Sequence, residues 1–306
     1  PTLSATANGG YDDLGYGGAG NADLQAAMPI WTGGRVSAAV RATSSDVAAG
    51  EQVVRDNEAA VLERVVAAYA DLLFAQEAVE VARIGIERLD RQVGEAQSRF
   101  DLGQATRTDV AQLEAQRSSV VANLADAEAG LASARAAYRA VVGQNPGDLE
   151  AEVPPPAMLP ADLADARASA ELANPRLLER IRIVDASEAR IDQARAQGAP
   201  SVDLIGAYGR GVRETGGALR AYDNAASVGL TLRVPLLNGG LVASQVREAQ
   251  ATTRADRYAA QAELRETIRA VETAWATLQA AGQRETASRD GLLAAQIALD
   301  GVRAEY

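Results

Sequence analysis

Two hydrophobic periods alternate along the chain. Between residues 61 and 100, apolar side chains fall at Val61, Val65, Ala68, Leu72, Ala75, Val79, Ala82, Ile86, Leu89, Val93, Ala96 and Phe100, in steps of four and three. A mean spacing of 3.5 residues belongs to a left-handed supercoil, whereas a straight helix repeats at 3.6. No proline interrupts residues 35–100. The pattern therefore predicts one helix over that range, roughly 100 Å long at 1.5 Å per residue. After "DLGQAT" the seam resumes at Val110, Leu113, Val120, Leu124, Ala127, Leu131, Ala134, Tyr138 and Val141, with Arg117 as its only charge. This is a return helix over about 106–142, roughly 55 Å long. Residues 174–200 open on Asn-Pro, with proline at a first-turn position, and add a helix of about 35 Å. The return path is thus two helices in series.

Elsewhere the period is two. Ala22, Leu24, Ala26, Met28 and Ile30 alternate with Asp23, Gln25 and Ala27. Val228, Leu230, Leu232 and Val234 alternate with Gly229, Thr231 and Arg233. Strict alternation predicts strands with one apolar face. The stretches "YDDLGYGGAG" (11–20) and "GRGVRETGGALRAYDN" (209–224) are rich in Gly, Asp and Tyr and read as loops. Two hairpins of short strands follow, and such strands make a poor core by themselves.

The two periods recur together. "MPIWTGGRV" (28–36) returns as "VPLLNGGLV" (234–242), 206 residues later, and the same shift carries Tyr69 onto Trp275, Leu72 onto Leu278, Gly85 onto Gly291 and Phe100 onto Tyr306. "PTLSATANGGY" from Pro1 likewise resembles "PSVDLIGAYG" from Pro200. The second seam keeps nine of the twelve apolar positions, with Thr267, Glu285 and Ser288 as lapses. The chain is a tandem duplication. Phe100 is followed by a turn and a return helix, whereas its partner Tyr306 ends the sequence. Pro200 is preceded by a helix, whereas its partner Pro1 begins the sequence. Symmetry leads us to expect trimming at both ends.

The expected division is a hairpin at 1–32, a long helical hairpin at 33–142 and a proline-rich segment at 143–174. A helix at 175–199, a second hairpin at 200–237 and a second long helix at 238–306 complete it. A short helix is expected at 161–173, inside the proline-rich segment.

Composition narrows the chemistry. The formal charge is -11, with 41 acidic against 30 basic residues. Such a balance argues against a nucleic-acid partner, which needs a basic surface. All the basic residues are arginine, and cysteine and histidine are absent. That removes disulfides, thiolate nucleophiles, imidazole bases and nearly all zinc chemistry. "GYGGAG" (15–20) has neither the lysine nor the helix start of a phosphate loop. No enzyme, cofactor or metal site is expected. No run of 18 apolar residues exists, which excludes a transmembrane helix but not a barrel, whose strands alternate.

Taken together, "RFDLGQATRTDV", "NPRL", "LRVPLLNGG" and "ALDGVRAEY", in this order, duplication and spacing, resemble the TolC family of outer-membrane channel proteins. The wording at 106–112 and 298–306 looks most like its type I secretion branch. The resemblance implies an α+β fold in the bacterial outer membrane, extending into the periplasm. Three chains would form a homotrimer whose strands close one transmembrane β-barrel. Their helices would form a periplasmic α-barrel, with the proline-rich belt as an equatorial segment. The implied partners are a periplasmic adaptor, an inner-membrane ABC transporter, an exported protein substrate and outer-membrane lipid. Leu24, Met28, Leu230 and Leu232 would face that lipid.

The tip of the first helical hairpin carries "RTDV" (107–110), in which Thr108 or Asp109 suits the cap of the return helix. The resemblance adds a second role. A tip aspartate of the family pairs with a tyrosine and an arginine of the second hairpin, holding the periplasmic end shut. Asp109 matches the aspartate and Tyr306 the tyrosine; the arginine would lie beyond Tyr306. Other readings are a multidrug efflux channel or, in a different class, a periplasmic adaptor or coiled-coil scaffold. An adaptor would need a lipoyl-like module between its helices, and a scaffold would leave the duplicated hairpins unexplained.

Overall fold

The computed structural model describes residues 1–12, 17–147, 149, 159–215, 218–221 and 225–305. The order of elements is β1 (Thr2–Asp12), β2 (Gly17–Trp31), α1 (Arg35–Asp101), α2 (Arg107–Val142), α3 (Leu163–Ala173), α4 (Pro175–Ala196), β3 (Ser201–Thr215), β4 (Ala218–Ala221), β5 (Ala225–Arg233) and α5 (Leu241–Glu305). Most of the proline-rich belt lies outside the described residues. The duplication is visible in the backbone. β1 and β3 each begin one residue after the repeated prolines, and α1 and α5 begin at positions 206 apart, Arg35 and Leu241. Each helix is preceded by two glycines in the left-handed region, Gly33 and Gly34 (φ +59° and +87°) and Gly239 and Gly240 (φ +59° and +81°).

The chain divides into two compact units, residues 1–53 with 160–306, and residues 54–159. The first contains one antiparallel sheet in the order β1-β2-β3, with β4 and β5 both beside β3. The hairpins are therefore joined through β2 and β3, and the outer edges of the sheet are β1 on one side and β4 with β5 on the other. The strands are longer than the alternation predicts, which corrects the loop assignment. β1 and β2 reach into the first Gly-rich stretch, where Asp12 pairs with Gly17, and β3 continues past Gly209 to Thr215, where it pairs with Ala218. Ladder bonds with a neighbour satisfy a glycine-rich backbone as well as any other, so tertiary pairing overrides the local turn preference. A bulge between Pro29 and Trp31 also breaks the alternation at Ile30 and puts Trp31 opposite Val202. Proline has no N–H for the ladder, so a register shift falls naturally there.

In the same unit α4 packs between the beginnings of α1 and α5. Most of the buried side chains are small: Ala38, Ala42 and Ala49 of α1, Ala186, Ser187, Ala189 and Ala194 of α4, and Thr253 and Thr267 of α5, with Leu177 of α4 and Gln52 of α1 the larger ones. Small residues let helix axes approach closely, so little apolar area holds them. Ion pairs lace the rim instead. Arg41 meets Asp192 at 3.2 Å, Arg190 meets Asp46 at 2.6 Å and Arg257 meets Glu188 at 2.6 Å. Arg167 similarly ties α3 to Glu272 of α5. Arg41, Glu188, Asp192 and Arg257 line a groove of about 760 Å³, and each of them already has a partner.

The second unit is the helical hairpin of α1 and α2. Ala68, Leu72, Val79 and Leu89 are buried on α1 and Val110 on α2, while the remaining α2 seam residues are half-buried. Arg117 lies on that seam and donates to Asp90. The charge at an otherwise apolar position is thereby neutralised across the pair.

Candidate membrane face and helical tip

Residues opposite one another in an antiparallel ladder share a face, so the register sorts the sheet into two surfaces. Leu24 lies opposite Tyr208, Ala26 opposite Gly206 and Met28 opposite Leu204. Leu204 in turn lies opposite Leu230, and Val202 opposite Leu232. Leu3 joins them through Ala26. The other surface carries Thr2, Ser4 and Thr6, then Asp23 and Gln25, then Asp203, Ser227, Thr231 and Arg233. Among the described residues the apolar surface has two charged positions, Arg210 opposite Ala22 and Glu214 opposite Leu219, both beyond Tyr208.

The structure thus brings all four sequence-selected residues, Leu24, Met28, Leu230 and Leu232, onto one surface. None of the described residues covers them: they are 46%, 51%, 68% and 65% exposed. The contributions of Val202, Leu204 and Tyr208 were missed because Ile205, Gly206 and Ala207 between them blur the alternation. Their signal was the same period of two, starting at Val202.

At the tip, α1 ends through Gly103 in the left-handed region (φ +70°), and Gln104 donates its N–H to the Arg99 carbonyl at 2.8 Å. The return helix opens on a reciprocal cap. Thr106 Oγ1 accepts from the Asp109 N–H at 3.2 Å, and the Thr106 N–H donates to Asp109 Oδ2 at 2.8 Å. The Thr106 hydroxyl also donates to Oδ2, at 2.8 Å. Thr106 is therefore the capping residue, two residues before Thr108 and three before Asp109, the positions the sequence suggests. Asp109 closes the box, and Thr108 lies within the first turn. A Ser/Thr cap paired with an acidic residue three positions on satisfies two orphan amides, an arrangement stronger than either side chain alone. The backbone bond from Thr106, followed by its hydroxyl, holds the Asp109 carboxyl below the usual carboxylate range. Asp109 also borders a cleft of about 450 Å³ shared with Gln92, Glu95, Arg99, Gln104 and Leu113. Tyr306, its expected counterpart, lies outside the described residues.

No helix among the described residues is long and apolar enough to cross a membrane. The sheet presents an uncovered apolar surface opposite a polar one. The model of the outer membrane efflux protein family matches twice, at residues 1–144 and 166–306. The chain belongs to the outer membrane efflux protein family. One match falls on each copy of the repeat. Among relatives, the chain is 30% identical to outer membrane efflux protein BepC of Brucella suis, over 94% of this chain and 62% of that protein. It is 26% identical to outer membrane protein TolC of Escherichia coli, over 86% and 56%. It is 27% identical to alkaline protease secretion protein AprF of Pseudomonas aeruginosa, over 71% and 46%. The chain thus spans about half to three-fifths of the length of these relatives.

Solved structures agree on the fold. The chain matches CusC with a TM-score of 0.83 at 18% identity, covering 99% of this chain and 72% of that one. It matches the open state of the Neisseria gonorrhoeae MtrE outer membrane channel with a TM-score of 0.68 at 23% identity, covering 87% and 62%. The fold is that of the TolC-like channels, mostly helical with one antiparallel sheet, and the family places the protein in the bacterial outer membrane.

Proposed function

We propose that this chain supplies the wall of an outer-membrane exit duct in a tripartite export system. The observation that carries the reading is the two-faced sheet with open edges at β1 and at β4 and β5. In hydrocarbon an unpaired edge strand is prohibitively costly, and closure with copies of itself removes every edge. Three chains form the homotrimer, with Leu24, Met28, Leu230 and Leu232 toward lipid and the polar surface toward the lumen. The long helices form the periplasmic part and meet an adaptor and an inner-membrane ABC transporter. Thr108, Asp109 and Tyr306 mark the periplasmic tip. There the carboxylate of Asp109 serves the cap first and closes the duct only through a partner from another hairpin.

The cargo we favour is an unfolded protein exported by the type I route, supported by the tip wording at 106–112 and by the likeness to AprF, a protease secretion protein. Small-molecule efflux is the second reading, supported by the likeness to BepC, an efflux protein. Deleting the gene and measuring secreted protein beside drug sensitivity separates them. Loss of a secreted protein supports the first; unchanged secretion with drug hypersensitivity establishes the second.

A further inference from the structure

The polar surface of the sheet is almost free of charge in its middle, with one exception. Asp23 sits opposite Thr6 on β1 and Gly209 on β3. On that surface the rows to either side present Asn21 and Gln25 on its own strand and Gly211 and Ala207 on β3. Among the described residues, the register also puts Asp203 and Arg233 on this surface, in neighbouring rows at one end, and Asp12, Arg213 and Arg220 at the other. Asp203 and Arg233 offset one another, and the rows on either side of Asp23 carry no charge.

Its carboxylate is also held in place. Asn21 donates its side-chain N–H to Asp23 Oδ2. A Cβ built on Gly209 would collide with Asp23 Oδ1, so the carboxylate lies against the strand in space that only glycine leaves free. Asp23 is accordingly half-buried where Asn21, Ala22, Leu24 and Gln25 along β2 are exposed. A charge fixed on a low-dielectric wall acts on a passing ion more strongly than one on a mobile stem, because its field is not averaged by motion.

We propose that Asp23 determines the charge selectivity of the duct, favouring cations and basic cargo over anions at mid-wall. This rests on the channel reading above, with the polar surface toward the lumen. One carboxylate from each subunit at the same depth makes a ring, the arrangement by which cation-preferring pores are built. The carboxylate acts on ions at a distance and needs no bound ligand.

Planar-bilayer recording of the protein purified from outer membranes tests it, with the K⁺ over Cl⁻ permeability ratio read from reversal potentials in a salt gradient. Asp23→Asn is expected to lower the ratio roughly two- to fivefold at low salt, with the difference shrinking as salt rises. Asp23→Glu is expected to keep the cation preference, and Asp203→Asn, beside Arg233, to change it less than Asp23→Asn does. A conducting Asp23→Asn channel with an unchanged ratio overturns the assignment, as does a larger effect at Asp203. A wild-type protein that inserts but carries no current overturns the channel reading, and the assignment falls with it.

Discussion

Arg117 on the return seam donates to Asp90 on the outgoing helix. The bond, followed by the carboxylate's field, raises the guanidinium's already high pKa, so Arg117 keeps its charge on the seam. Both side chains keep about half of their surface in water, 41% and 50% exposed. Such pairs contribute little to stability, because solvent already satisfies each partner. Arg117→Leu should therefore fold normally and melt close to the wild type. Leu72→Ala, at a fully buried seam position, should cost about 2–4 kcal/mol. Thermal melts of the two variants side by side check the order; a greater loss from Arg117→Leu would mean that the pair fixes the register.

The tip cap gives a second test. Thr106→Ala removes the hydroxyl that caps the Asp109 N–H and should destabilise the start of the return helix by about 1 kcal/mol. Hydrogen exchange of the amides at 107–110 reports it directly. Exchange unchanged from the wild type would show that water caps this helix equally well.

The same cap has a pH dependence of known sign. The Asp109 carboxyl is held below its ordinary value of 3.8 by the Thr106 backbone bond first and the Thr106 hydroxyl second. Its stabilisation is thus fully present above the ordinary carboxylate range and is lost as pH falls through the lower folded value. Protection at 107–110 should stay flat through neutral and mildly acidic pH and drop only below that range. Asp109→Asn, which cannot ionise, should show no such drop.

Gly33 and Gly239 are repeat equivalents with the same φ of +59°, yet their surroundings differ. A Cβ on Gly33 would collide with Ala199 and approach the Pro200 carbonyl to 2.9 Å, whereas none of the described neighbours lies within 4 Å of one on Gly239. Gly239→Ala should cost only the left-handed backbone term, about 1–2 kcal/mol. Gly33→Ala adds a clash with backbone and should cost clearly more. Equal losses in folding yield would show that the join between α4 and β3 yields freely.

The apolar surface of the sheet can be tested by charge insertion. Leu230→Arg should cost about 2–4 kcal/mol in folding into bilayers if that side chain lies near the midplane, and Thr6→Arg on the opposite surface far less. Urea titration of folded protein in lipid vesicles supplies the numbers. Similar costs at both positions would refute the assignment of faces.

The sequence alone determined whatever depends on local period. Seam residues from Val61 to Phe100 and from Val110 to Val141 define both helices of the hairpin, because each turn reads only its own neighbours three and four positions away. The 206-residue shift likewise aligned the two copies, down to the Gly-Gly pairs before α1 and α5. Tertiary structure decided what depends on distant partners. Residues 17–20 of the first Gly-rich stretch and 209–215 of the second became strands because facing strands supply their hydrogen bonds. The cap moved to Thr106 because the turn through Gly103 set where the return helix could begin. Asp23 looked like any polar residue of an alternating strand. Only the register, which sets Gly209 beneath its carboxylate, makes it a fixed charge, because a ladder partner nearly two hundred residues away leaves no trace in local spacing.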